Sequence, residues 1–485
     1  MSNLTSASEN KSVVPKCEKL YHVGTLSYTK RSLVLLFCWL LWGDFCYTLM
    51  ETIGPSILPI KLKDLGSSNF TIAVIMTTVG GILNTTICPW VSFWSDRYRS
   101  SWGRRIPFIL WTLPFLTIFL ILLGYSEQIA VFVNKFAFAE GGWFSTTTLT
   151  VFLIGVFMAG FQFFNMFVGS VYWYLFNDVV PQKFIGRFLG LFRVVGGLAG
   201  VLFNYFIFKY ARTHMTEIFT GVALLYFVSF GLMCLLVKEG QYPPAPKYVD
   251  GRKGFFAGLK TYFIECFSLR FYLYVFGVST CMNIVSTGGI FFTFFYIDVG
   301  LDLGEIGRLA AYGGILGLCL TYPAGLIADR YHPLKVQVIT LGIMLFFGPL
   351  NLIFLFVKMS PDAAYYYLFA VTLAYTPSCT IFLASEFPAL MRILPKERFG
   401  QFCSAMSMLR SVGVILGGLI AGLVFDWLKL YYGGSNFAYR WVPAWFWIFQ
   451  VLAFVCLFNV YRGWKHYGGM ESYEAPLPCK DSSES

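Results

Sequence analysis

Residues 95–124 read SDRYRSSWGRRIPFILWTLPFLTIFLILLG, a short basic segment followed by an apolar run that begins at Pro107. No charged side chain lies between residues 107 and 124. An α-helix needs about 20 mainly apolar residues to cross the hydrocarbon core of a bilayer. This stretch therefore predicts a membrane-spanning helix with a charged loop in front of it.

Comparable apolar runs recur along the 485 residues, of which 57% are hydrophobic and only 13% are charged. Soluble proteins carry about 25% charged residues, so this composition excludes an ordinary water-soluble fold. The runs predict an all-α integral membrane protein with twelve transmembrane helices in two parallel six-helix repeats. The predicted spans are residues 32–60, 70–94, 107–124, 148–177, 188–210 and 217–237, then 271–297, 304–328, 336–357, 363–391, 403–425 and 442–461.

The polar segments divide the chain around these two sets. The predicted parts are an N-terminal tail at 1–31, a six-helix bundle at 32–237, a linker at 238–270, a second bundle at 271–461 and a C-terminal tail at 462–485. Most of the 36 Lys and Arg residues fall in the tails, the linker and alternate loops. Because such residues collect on the cytoplasmic side, we expect a multi-pass protein of the inner or plasma membrane with both termini in the cytoplasm. The net charge of +11 then follows from topology and requires no nucleic-acid partner.

The loops after the second span of each set resemble those of the major facilitator superfamily, which have the form G-x-x-x-D-R-x-G-R-R. Gly325, Asp329 and Arg330 match the start of this motif in the second half. The first half has Ser92 in the glycine position and four extra residues, 99–102, before G-R-R. Its stretched form, D-R-Y-R-S-S-W-G-R-R-I-P-F-I, is similar to the glycoside-pentoside-hexuronide cation symporters and the sucrose transporters. The resemblance implies proton- or sodium-driven uptake of a sugar or glycoside by alternating access.

Two carboxylates interrupt the first predicted span. Asp44 and Glu51 are seven residues apart, which places them about 20° apart on one helix face. Charged groups inside a membrane are costly and need a partner or a function. We predict that they couple transport to H⁺ or Na⁺; the alternatives are an ion pair with Arg193 or Arg410, or a wet position at the outer end.

Polar and aromatic side chains on other spans are predicted to hold the solute, because amides and guanidinium groups bind hydroxyls and aromatic faces stack on sugar rings. The alternatives are that the amides fasten helices together and that the arginines extend to the cytoplasmic surface. Plant sucrose transporters carry an aspartate and an arginine in the fourth span, and the nearest positions here are Gln162 and Trp173, so the resemblance does not extend to sucrose itself. The predicted substrate residues are Gln162, Asn165, Trp173, Arg193, Asn283 and Arg410.

Charged residues at the cytoplasmic helix ends are predicted to form a gate, because ion pairs present in one conformation bias a two-state equilibrium. Solvated membrane anchors are the alternative. The predicted gate residues are Asp96, Arg97, Arg104, Arg105, Asp178, Asp329, Arg330 and Glu386.

An ion gradient is the expected energy source, because the chain has no G-x-x-x-x-G-K-[ST] nucleotide loop. We expect no enzyme activity, no bound metal and no cofactor besides the coupling ion, since the four histidines are scattered. The expected partners are a small solute, namely a sugar, and the lipid bilayer, with the chain acting as a monomer. The same fold would also suit an organic anion, an amino acid or a lipid-like amphiphile, and a polytopic membrane enzyme or sensor is the remaining alternative.

Overall fold

A computed structural model describes residues 20–137, 145–241 and 263–476. Within these ranges, twelve helices are long and apolar enough to cross a membrane. This finding confirms the predicted all-α, twelve-span fold. Spans 1 to 6 are Lys30–Asp64, Asn69–Cys88, Ile106–Gly124, Thr146–Val179, Gln182–Tyr210 and Met215–Leu236, and spans 7 to 12 are Arg270–Val299, Leu303–Arg330, Pro333–Leu355, Pro361–Ile393, Phe399–Tyr431 and Asn436–His466.

Several short elements lie outside these spans. The helix of span 2 continues as far as Arg97 beyond the apolar segment, and the helix Ser126–Ala137 follows span 3. The strands Tyr21–Val23 and Leu26–Tyr28 pair antiparallel within the predicted N-terminal tail. A single helical turn, Gly469–Ser472, follows span 12.

Hydroxyl side chains start several spans. Thr29, Ser68, Ser145 and Ser360 each accept a hydrogen bond from a backbone N–H in the first turn of the following helix. Such N-caps satisfy donors that have no partner inside the helix, which matters most where a helix end lies near lipid.

Spans 7 and 9 change helix type along their length. Span 7 consists of the α-helix Arg270–Thr287, a 3₁₀ segment at Gly288–Phe291 and the α-helix Phe292–Val299. Span 9 changes from α-helix to 3₁₀ helix at Gly348, immediately before Pro349. Proline has no N–H to donate and its ring crowds the preceding turn, so the regular α-helix ends there.

The two halves of the chain pack together through span 2 against span 11 and through span 5 against span 8. We call the end of the bundle where Leu236 and Arg270 border the linker the linker end, and the opposite end the far end. At the closest approach of spans 5 and 8, a methyl group on Gly307 would overlap the backbone carbonyl of Asn204. A glycine is required there because any larger residue would separate the two helices.

Polar contacts join the halves at the far end. The carboxylate of Asp426, on span 11, accepts the backbone N–H groups of Asn69 and Phe70 at 2.8 and 2.9 Å. These N–H groups belong to the first turn of span 2, where the helix dipole favours a negative charge. The hydroxyl of Tyr439, on span 12, donates to the side-chain oxygen of Asn69 at 2.7 Å. The halves are therefore held in contact at this end of the bundle.

Candidate functional site

A polar cavity of about 350 Å³ lies within the N-terminal half, between spans 1, 2, 4 and 5. Nine of its thirteen lining residues carry an amide, hydroxyl, thiol or carboxylate group. It is lined by Asp44, Tyr47, Thr48, Glu51, Asn84, Cys88, Asn165, Met166, Gly169, Ser170, Tyr172, Trp173 and Phe192.

One stripe of span 1 supplies the charged wall of this cavity. Asp44, Tyr47, Thr48 and Glu51 lie at helical positions i, i+3, i+4 and i+7. Residues at this spacing share one face of an α-helix. Both predicted cation-coupling carboxylates therefore reach the same cavity, as their seven-residue separation predicts.

Glu51 is held by hydrogen bonds from two helices. The Tyr47 hydroxyl, one turn earlier on span 1, donates to Glu51 Oε1 at 2.9 Å. The side-chain N–H of Asn165, on span 4, donates to the same oxygen at 3.0 Å. Asn165 is only 5% exposed, whereas Glu51 itself is exposed at the cavity wall. These two hydrogen bonds hold the Glu51 carboxylate in place at the cavity wall.

Asp44 has a different environment, because it is only 2% exposed. Its Oδ1 accepts a long hydrogen bond of 3.4 Å from the Thr48 hydroxyl, and its Oδ2 has no hydrogen-bond partner among the described residues. The ion pairs among the described residues do not include Asp44. Burial of an unpaired carboxylate is costly, so a proton or a small cation would stabilise this position.

Gly196 on span 5 has no side chain and so leaves room for the carboxylate of Asp44. A methyl group on this glycine would lie 3.1 Å from Asp44 Oδ2 and 3.2 Å from the Thr48 hydroxyl oxygen. The carboxylate consequently faces the backbone of span 5 at close range. Gly200, one turn further along the same helix, has nothing within 4 Å of the corresponding position.

The predicted substrate residues of span 4 fall into two groups. Asn165 and Trp173 line the cavity, and the exposed Trp173 ring packs at 5.0 Å from the ring of Phe192. Gln162 instead lies beside span 2, with its amide 3.7 Å from the position that a methyl group on Gly80 would occupy.

The other three predicted substrate residues lie apart from this cavity. Arg193 is exposed, is not among the residues that line the cavity, and makes no ion pair among the described residues. Asn283 donates to the backbone carbonyl of Ser279 on its own helix at 2.8 Å. Arg410 pairs with Glu386 at 3.1 Å, so its charge is already compensated within the C-terminal half. The alternative ion pair between Asp44 and either arginine is not formed.

Three of the predicted gate residues, Arg104, Arg105 and Asp178, contact one another at the linker end of the N-terminal half. Arg104 donates two hydrogen bonds to Asp178, at 3.0 and 2.7 Å, and Arg105 contacts the same carboxylate at 3.3 Å. Glu239, which the sequence analysis missed, accepts the backbone N–H groups of Arg104, Arg105 and Ile106 at 2.6 to 2.9 Å. These contacts connect helices of the N-terminal half.

The remaining predicted gate residues are more scattered. Arg97 is the last residue of the helix that extends span 2, and the side chain of Asp96 lies outside the described part of the chain. Asp329 and Arg330 are exposed at the end of span 8, and neither forms an ion pair within the described residues. Glu386 binds Arg410 and also accepts the Ser279 hydroxyl at 3.3 Å.

A central cavity of about 420 Å³ lies between the two halves. Residues of spans 1, 5, 7, 8 and 10 form its wall, and many of them carry hydroxyl or amide groups. Its polar lining consists of Ser56, Asn204, Ser286, Thr293, Tyr296 and Thr372. None of these residues is among those predicted from the sequence to bind the solute, because hydroxyl side chains are common on membrane helices.

Comparison with curated proteins finds partial sequence similarity to two transporters. No model of a protein family matches the chain. The chain is 25% identical over 177 residues to the general alpha-glucoside permease of Schizosaccharomyces pombe, with 35% of this chain and 31% of the permease covered. It is 27% identical over 216 residues to solute carrier family 45 member 4 of Homo sapiens, with 41% and 26% covered. The chain thus spans less than a third of the length of either relative.

Solved transporter structures share the arrangement of the helices over nearly the whole chain. A bacterial homologue of the iron transporter ferroportin, in an inward-facing state, has a TM-score of 0.64 at 16% identity, covering 88% of this chain and 99% of that one. A bacterial homologue of the lysosomal transporter Spinster, inward-facing and unoccupied, has a TM-score of 0.62 at 11% identity, covering 90% and 99%. At these identities the likeness concerns the fold alone.

Proposed function

We propose that this chain, which has the fold of the major facilitator superfamily, is a secondary transporter that moves a sugar or glycoside together with H⁺ or Na⁺. The observation that carries the proposal is the unpaired, buried carboxylate of Asp44 beside the cavity-facing carboxylate of Glu51. A negative charge in this position needs a positive partner, and among the described residues no Lys, Arg or His forms an ion pair with it. A coupling cation meets that need.

The coupling step follows from this charge balance. With a proton or Na⁺ at Asp44, the carboxylate becomes neutral or paired, and the N-terminal half can reorient without exposing a bare charge to lipid. Glu51 keeps its hydrogen bonds from Tyr47 and Asn165 throughout, and so provides a second carboxylate that attracts the cation into the cavity.

A neutral polyhydroxyl solute suits the lining of the two cavities. The described residues that line the N-terminal cavity include two carboxylates and no basic side chain, which disfavours an organic anion as the cargo. The central cavity offers hydroxyl and amide groups that hydrogen-bond to sugar hydroxyls, with aromatic rings alongside them. The similarity to an alpha-glucoside permease supports the same class of solute.

The transport cycle would alternate access between the two ends of the bundle. We infer that the linker end is cytoplasmic, as the distribution of Lys and Arg favours, and that the contacts of Asp426 close the outer side. The cavities of one chain provide the complete site, so we propose that a monomer is the functional unit.

The decisive experiment is uptake into proteoliposomes that contain the purified chain. Labelled mono- and disaccharides are supplied under an imposed pH gradient or an imposed Na⁺ gradient. We expect accumulation of at least one sugar above its equilibrium level under one of the two gradients. The Asp44→Asn variant should lose gradient-driven accumulation by more than tenfold, because the amide neither binds a proton nor attracts a cation.

Asp64→Asn is the matched control, because Asp64 is on the same span but is exposed at the far end and pairs with Arg212 at 3.0 Å. This variant should accumulate sugar like the wild type. If Asp44→Asn keeps its accumulation, cation coupling does not occur at Asp44. If folded wild-type protein transports no sugar under either gradient, the sugar assignment is wrong.

A further inference from the structure

The C-terminal half contains a polar cavity of its own, of about 230 Å³, between spans 7, 9, 10 and 12. None of the residues predicted from the sequence to bind the solute or the cation lines it. Its polar groups are two amides and three hydroxyls, and its apolar wall is largely aromatic. The volume is many times that needed for a single water molecule.

Gln450 is the most constrained polar group in this cavity. It is only 1% exposed and lies in the middle of the apolar span 12. Its side-chain N–H donates to the Tyr375 hydroxyl at 2.6 Å, which ties span 12 to span 10 beside the cavity. Its Oε1 atom accepts no hydrogen bond from the described residues, and neither does Oδ1 of Asn351 on span 9. Two residues that line the cavity therefore carry buried amide oxygens that are acceptors without donors among the described residues.

The helices around these amides are interrupted where they border the cavity. Span 9 changes to 3₁₀ helix at Gly348, and Asn351 lies within that 3₁₀ segment. Span 7 leaves its own 3₁₀ segment at Phe292, which also lines the cavity. Buried orphan acceptors and local helix breaks are each costly in a membrane, and transporters place discontinuous helices at binding sites.

The cavity is adjacent to the central cavity between the halves. Tyr296 and Thr372 line both of them. A solute in the central cavity can therefore extend past these two side chains towards Gln450. No carboxylate is among the described residues that line the C-terminal cavity, so a neutral hydroxyl group suits the two orphan acceptors better than a metal cation does.

We propose that this cavity is a second sugar subsite, in which the carbonyl oxygens of Gln450 and Asn351 accept hydrogen bonds from hydroxyl groups of the solute. The rings of Phe292 and Phe446 would pack against the apolar face of the same sugar unit. The inference rests on the proposed function and makes it more specific. The solute has at least two linked units, one in the central cavity and one in this subsite, as in a disaccharide or a glycoside.

Equilibrium binding of labelled maltose and labelled glucose to the purified full-length chain tests this inference. Gln450→Met keeps the length of the side chain but removes the acceptor oxygen Oε1. Asn351→Leu likewise removes the acceptor oxygen Oδ1 on span 9 while keeping a side chain of similar size. We expect each variant to weaken maltose binding about tenfold or more, because the hydroxyl groups of the second ring lose an acceptor. Glucose binding should change less than threefold, since one ring is held in the central cavity.

Asn459→Leu is the control, because Asn459 is also on span 12 but donates to the backbone carbonyl of Val455 on its own helix. The Asn459→Leu variant should bind maltose and glucose like the wild type. If both cavity variants have a wild-type melting temperature and bind maltose within threefold of the wild type, the subsite does not exist and the cavity holds only water. A wild-type chain that binds glucose without preferring maltose overturns the subsite alone. If the wild-type chain binds neither of these sugars nor any other mono- or disaccharide of the uptake panel, the proposed function is overturned and the subsite with it.

Discussion

The contact between Asp426 and the first turn of span 2 gives a sharp prediction about conformational change. The carboxylate bridges the two halves at the far end, where it accepts two backbone N–H groups at 2.8 and 2.9 Å. Opening the bundle at this end must break both hydrogen bonds. Asp426→Asn should therefore favour the conformation that is open at the far end.

The size of the shift follows from the type of hydrogen bond. A hydrogen bond to a charged group contributes about 1.5–3 kcal/mol, whereas a neutral one contributes about 0.5–1.5 kcal/mol. Asparagine keeps one neutral acceptor, and Asp426 is only partly buried, so solvent screening reduces the loss. We expect a net change of about 1–2 kcal/mol, which corresponds to a shift of about 5- to 30-fold in the equilibrium between the two conformations.

Pulsed electron paramagnetic resonance measures this shift directly. Spin labels at Val131 and Asp362 report the separation of the halves, because both positions are exposed near the far end on opposite halves. The labels are introduced after the other accessible cysteines have been replaced. Asp426→Asn should increase the population at the longer distance by about 5- to 30-fold relative to the shorter one.

Asp64→Asn provides the control for this measurement, because it removes a carboxylate from the same end that pairs within the N-terminal half. It should leave the distance distribution unchanged. The reasoning is refuted if folded Asp426→Asn protein keeps the wild-type distribution, or if both variants shift it equally, since the effect would then be one of surface charge.

Two further predictions concern other parts of the chain. Gly196→Ala should reduce gradient-driven uptake at least tenfold, because the added methyl group would crowd the carboxylate of Asp44. Gly200→Ala, on the same helix, is the control and should transport the solute like the wild type. Equal uptake by the two variants would contradict the packing argument. Burial, reinforced by two neighbouring basic side chains, lowers the pKa of His332 in the loop before span 9 from 6.5 to about 4. Unfolding frees this imidazole to take up a proton, so the melting temperature should fall as the pH decreases from about 6.5 towards 4. In His332→Gln the melting temperature should fall less over the same pH range. If the melting temperatures of the two proteins change with pH in parallel, His332 does not cause the pH dependence.

Local sequence patterns predicted the span 1 part of the candidate site. Asp44 and Glu51 are recognisable because charge is rare in apolar runs, and helical periodicity places both on one face. The same periodicity would also have predicted Tyr47 and Thr48 as site residues, because they lie between Asp44 and Glu51 on that face. Asn165 was predicted as a substrate residue on span 4, but its hydrogen bond to Glu51, which joins residues 114 positions apart, was not predicted.

The long-range pairing of polar groups could not be predicted in the same way. Arg193 and Arg410 follow similar sequence patterns in the two repeats, but only Arg410 has an acidic partner among the described residues. Gln450 is an isolated amide in an apolar run, which is also the pattern of a residue that simply fastens two helices together. Whether such a group faces lipid, a neighbouring helix or a cavity depends on the rotation of its helix against residues far away in the chain.

The sequence by itself determined that the chain crosses the membrane twelve times in two similar halves, because the length of an apolar run and the spacing of charges are local properties that the bilayer selects directly. Only the tertiary structure decided which polar groups share a cavity, that the halves are in contact at the far end, and that Asp44 lies buried without an ion pair among the described residues. These features depend on how close and at what rotation helices pack. Packing arises from many weak contacts between distant segments, and no short stretch of sequence contains that information.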